Sequence, residues 1–157
     1  MNRYNQKADG SNSFTIEEAV SDKHPVLAEI RAAYGQEKAW LCVYSHIVAI
    51  NEFSKKAKMD DYQKRVLARL FVKRFYYFNL AEVNLFFERL ESGVYGKFYG
   101  AIDPIDIMEK AGTFEQERNR EIDRQENLKH LAELERNHQN AISHDEYLAG
   151  KKAGIYY

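Results

Sequence analysis

A chain of 157 residues with 45% hydrophobic and 30% charged content is long enough to bury its own core and fits one domain. A formal net charge of −1 exerts no global pull on nucleic acid or an anionic membrane, and the single cysteine, Cys42, excludes a disulfide within the chain. Two prolines and eight glycines are little punctuation, which favours long helices over many short strands.

Residues 1–13 are polar, rich in Asn, Ser and Gly, and lack the apolar stretch of a signal peptide; they read as a disordered tail. Thr15 and Glu18 have capping-box spacing and predict a short first helix. Pro25 suits the first turn of a second, running to Tyr34 and stopped by Gly35. A third helix is expected from Gln36 to Ser54. Its apolar residues Trp40, Val43, Tyr44, Ile47, Val48, Ile50 and Phe53 are spread widely enough to make it the centre of the core. The stretch from Ala39 to Ile50 is interrupted by Ser45 and His46 and falls far short of the roughly 20 residues of a membrane span.

Asp60 is a good N-cap for a fourth helix, from Asp61 to about Tyr77, with Tyr62, Val66, Leu67, Leu70, Phe71, Phe75 and Phe78 at three- and four-residue spacing. Asn79 and Glu82 form another capping pair after about one connecting residue. The helix they open is expected to bury Val83, Phe86, Phe87 and Leu90. Then comes a structural turn of unusual composition. Gly93, Gly96 and Gly100 alternate with Tyr95, Phe98 and Tyr99, which suggests special dihedrals pinned by ring packing. Asp103 and Pro104 supply the cap and first position of the next helix, with Ile105, Ile107, Met108, Ala111 and Phe114 packing on the core and Gly112 a weak point. Residues 14–114 thus form a helical core domain. Residues 115–149 read as a long charged helix with a thin stripe of Ile122, Leu128, Leu131, Leu134 and Ile142, and residues 150–157 as a tail. The fold class expected is all-α, one compact domain of five to six helices.

Chemistry is sparse. Glu135 and His138 have a di-iron-like spacing but no companion pair, so no metal site is expected. Cys42 and His46 read as core residues, and no nucleophile elbow, phosphate loop or dinucleotide fingerprint occurs. The expectation is a non-enzymatic protein without a cofactor. Between Ser54 and Phe78, eight Lys and Arg face only Asp60 and Asp61. Lys64, Arg65, Arg69, Lys73 and Arg74 are the candidate phosphate contacts, with Lys97 and Tyr99 as additions from the turn. The bland reading is a solvated face, or one paired with the eleven acidic residues between Ile105 and Glu146. The C-terminal stripe offers an alternative role in binding another protein or a second copy. No membrane partner is expected, and the lone cysteine fits a reducing cytoplasm.

The segment from Phe87 to Gly100, continuing through Ile102, Asp103, Pro104, Ile107, Met108, Phe114, Glu117 and Arg118, resembles small uncharacterised helical proteins encoded by gut Bacteroidetes and their phages and mobile elements. The resemblance covers residues 62–125. It implies a phage or mobile-element setting, with the bacterial cytoplasm or a virion as the location, and no activity, and no residue inherits a role from it.

Overall fold

The computed structural model describes residues 14–155; the N-terminal segment read as a disordered tail, residues 1–13, lies outside them. The described residues are all-α, with seven helices: α1 Ile16–Val20, α2 Leu27–Tyr34, α3 Gln36–Phe53, α4 Asp61–Arg74, α5 Leu80–Glu91, α6 Pro104–Asn140 and α7 His144–Lys152. None is long and apolar enough to cross a membrane. Contacts divide the chain into two units, residues 14–121 and residues 122–155.

Local chemistry sets most helix starts. Thr15, Asp60, Asn79 and Ser143 each accept a hydrogen bond from the backbone three residues on, and the residue there answers with its own side chain. The α2 start differs from the expected one. Pro25 and Val26 stay extended because Val26 forms an isolated antiparallel bridge with Asn79. The Pro25 carbonyl accepts from the Leu80 N–H at 3.2 Å, and Leu27 N–H donates to the Phe78 carbonyl at 2.9 Å. The same pairing shortens α4. Phe75 leaves the helix at φ −108°, ψ 37°, and residues 75–79 connect α4 to α5 rather than a single residue.

The α3 helix packs against α2, α4 and α5, as a central helix should, but the most completely buried helix of the first unit is α5. Every residue from Leu80 to Phe87 is buried, and so is Leu90. The α3 helix buries Ala39, Val43, Ile47, Ile50 and Asn51 but leaves Leu41 and Phe53 in solvent. Phe71 lies within 4.9–6.2 Å, ring to ring, of Phe75, Phe78, Phe86 and Phe87, and Phe114 of α6 closes on Phe78 and Phe86. Burying such rings is the largest apolar contribution available to this core. Tyr62, Leu70 and Ile105, expected inside, are exposed. Ala68 and Val72 are buried on α4 instead.

Ion pairs seat the first part of α6. Arg118 donates from Nε to Glu82 at 2.7 Å and lies over the rings of Tyr77 and Phe78, while Arg89 reaches Glu117 at 2.6 Å. Burial pushes the Glu82 carboxyl above its ordinary range, and Arg118 works against that rise. The α6 helix runs unbroken through Gly112, where the Arg74 guanidinium covers the bare backbone. In the second unit, α6 continues to Asn140, and α7 follows as a separate helix with its own capping box.

Candidate nucleic-acid interface

The five basic α4 residues part into two groups. Lys64 is tucked in, its side chain 13% exposed, and bonds Asp61 at 2.9 Å. Each holds the other's charge, so the Asp61 carboxyl is lowered and the Lys64 ammonium raised. Arg74 turns toward α6, resting over the Phe75 ring at 4.8 Å and 3.7 Å from Glu115. Part of the internal pairing with the acidic segment therefore exists, at Arg74. Arg65, Arg69 and Lys73 remain exposed, one helical turn apart in succession, with no carboxylate at ion-pairing distance among the described residues.

Two of these three border a groove. Between α3 and α4, Glu37, Trp40, Leu41, Tyr44, Arg65, Ala68 and Arg69 enclose about 420 Å³, and the Arg69 guanidinium stands 5.7 Å from the centre of the Trp40 ring. Trp40 and Tyr44 occupy successive turns of α3 and are only partly buried. Ala68 leaves the groove its depth because it has no side chain beyond Cβ. Both rings also pack against the core, as their places in the α3 pattern imply. The usable signal was the matching four-residue spacing of Trp40/Tyr44 and Arg65/Arg69, but nothing in a one-dimensional pattern says that the two pairs face each other.

Lys97 and Tyr99 lie elsewhere. Their turn is tied to the α3–α4 loop, where Ala57 pairs with Ala101 and Ile102 N–H donates to the Ala57 carbonyl at 2.9 Å. Lys97 lines a smaller cleft of about 180 Å³ with Lys56, Phe53 and Glu91, at the C-terminal end of α3. Trp40 to Phe53 is thirteen residues of helix, or roughly 20 Å at 1.5 Å per residue. The structure does not place the turn's cation in the arginine groove.

Within the turn the rings play different parts. Phe98 is buried, and Tyr95 is half-buried with its hydroxyl donating to Glu117 at 3.3 Å. Tyr99 is 94% exposed and pins nothing. Gly93 closes α5: its N–H donates to the Leu90 carbonyl and that of Val94 to Arg89, the paired bonds of a Schellman cap, with Gly93 at φ 77°. Gly96 and Gly100 also have positive φ.

A larger cleft of about 700 Å³ lies between α2 and α3, lined by Ile30, Ala33, Tyr34, Leu41, Cys42 and Leu80 among others. Burial raises the Cys42 thiol, so it is not primed as a nucleophile. His46 stacks on Phe87 with ring centres 5.0 Å apart, and burial lowers its pKa to about 4. Neutral thiol and neutral imidazole are the states of packing residues. Among the described residues no cluster of His, Cys, Asp or Glu is arranged to hold a metal ion.

Residues 58–154 match the model of a family of unknown function, DUF6633. The chain belongs to that family. The DUF6633 segment begins just before α4 and contains the basic row, the glycine and aromatic turn and all of α6, but not Trp40 or Tyr44. No curated protein and no solved structure matches the chain.

Proposed function

We propose that this protein is a non-enzymatic accessory protein of a phage or mobile element that associates with nucleic acid, as a replication or regulatory adaptor, through the exposed face of α4. One observation carries the reading: Arg65, Arg69 and Lys73 form an exposed row of cations with no carboxylate within ion-pairing distance among the described residues, although Arg65 helps hold the Asp61 charge from further off. Such a row suits a phosphate backbone, since each neutralised phosphate releases condensed counterions. Lys64 and Arg74 are spent on Asp61 and Glu115, so three contacts are expected rather than five.

Fluorescence polarisation with a labelled oligonucleotide over a salt series tests this. Three phosphate contacts give a slope of log K against log salt of about −2 to −3. An affinity that stays constant as salt rises would refute the phosphate reading.

The C-terminal unit supports a second reading, a protein-interaction module. Leu128, Leu131 and Leu134 recur every three residues along α6 and are each at least half exposed. Light scattering on the intact chain and on an L128S/L131S/L134S variant checks it. A single assembly state in both would remove self-association through that stripe.

A further inference from the structure

Resting on the nucleic-acid reading above, we infer that the α3–α4 groove receives an unpaired base, so that the preferred ligand is single-stranded nucleic acid rather than duplex. The groove holds what one nucleotide of a single strand asks for and a duplex cannot use. Trp40 and Tyr44, partly packed on the core, offer their remaining aromatic surface for the base face, and the Arg69 guanidinium that now lies over the Trp40 ring at 5.7 Å moves out to the strand as the base enters. Such stacking tolerates any sequence, because every base has a π-face. Arg65 and Arg69 stand at its edge with no carboxylate at pairing distance, and so suit the phosphates on either side of that base. Lys73 continues the row one turn further, where the strand's next phosphates would run.

Charge selects this occupant over an apolar helix or a neutral peptide. Two guanidinium groups and one carboxylate, Glu37, border the groove, leaving it net positive. The volume, about 420 Å³, falls among small-ligand clefts of roughly 300–1,000 Å³. In a duplex the bases are stacked on one another and cannot enter.

Trp40 is the only tryptophan in the chain, so its fluorescence reports on the groove directly. The intact protein is titrated at low salt with a single-stranded oligonucleotide, with its duplex, and with heparin as a polyanion without bases. The inference expects the single strand to bind most tightly and to quench Trp40. It also expects W40A to weaken single-strand binding roughly 5- to 100-fold, the range of one base–aromatic stack, while duplex binding stays unchanged. W40F, which keeps a ring, should lose less, and it serves as the comparison if W40A is poorly folded by circular dichroism. Equal quenching by heparin, single-strand binding without quenching, or an equal loss for strand and duplex would overturn the base site. In those cases salt-dependent binding through Arg65, Arg69 and Lys73 still stands. Absence of binding by all three ligands at low salt would remove both readings.

Discussion

His46 shows how one residue's surroundings become a property of the whole chain. Its imidazole lies flat on Phe87, and burial lowers its pKa from the usual 6.5 to about 4. A histidine with a depressed folded pKa contributes stability that is full above 6.5 and is lost as pH falls toward 4, because the unfolded chain takes up the proton first. The contribution amounts to about 3 kcal/mol. Denaturant midpoints measured from neutral to acid pH should fall across that window, and an H46F variant should lose this part of the slope. Glu82 is the opposite case: the carboxyl is 1% exposed, and its charge is held by Arg118 at 2.7 Å and by the Asn79 backbone N–H at 2.8 Å. R118M should cost about 3–5 kcal/mol, since it leaves a buried carboxylate without its counter-charge, whereas E82Q/R118M should cost much less. With Arg118 gone the Glu82 pKa rises further. A raised carboxyl pKa means stability that is fully present below the ordinary value of 4.5 and lost as pH climbs through the raised one, so the R118M deficit should shrink as pH falls toward 4.5 and level off below it. Thermal melts at acid and neutral pH check both statements. The capping partnership of Asn79 and Glu82 was legible from spacing; that Glu82 also grips α6 was not, because Arg118 is thirty-six residues away.

At the scale of elements, two glycines with opposite duties separate backbone need from packing. Gly93 has φ 77° and open space where a Cβ would be, so G93A should destabilise by about 1–2 kcal/mol through backbone strain alone. Gly112 lies inside α6 with ordinary helical backbone, and a Cβ there would sit 3.1 Å from the Arg74 guanidinium. That head group is half exposed and loosely paired, so it can move aside, and G112A should stabilise by up to about 1 kcal/mol. Chemical denaturation of the two variants tests the contrast. The same comparison explains which helix boundaries could be read in advance. Ends set by a cap or a positive-φ glycine, such as the starts of α1, α4 and α5, follow from neighbours in sequence. The start of α2 and the end of α4 do not, because the 25–26 and 75–79 segments pair with each other across the fold.

Taken whole, the molecule has a net charge of −1, so any affinity for nucleic acid must be local. R65Q/R69Q/K73Q should therefore abolish binding and flatten the salt dependence while leaving the fold intact, since none of the three is buried; polarisation and circular dichroism together would show it. The amino-acid order alone determined the all-α class, most of the caps, the basic row and the shape-setting role of the turn glycines. Each of these depends on residues within about one helical turn of one another. Only the tertiary structure decided that α5 is the most completely buried helix and that Lys64 and Arg74 are already engaged. It alone brought Trp40 and Tyr44 against Arg65 and Arg69 as well. Those outcomes depend on which faces of distant helices meet, and the spacing of residues along one helix carries no information about its neighbour.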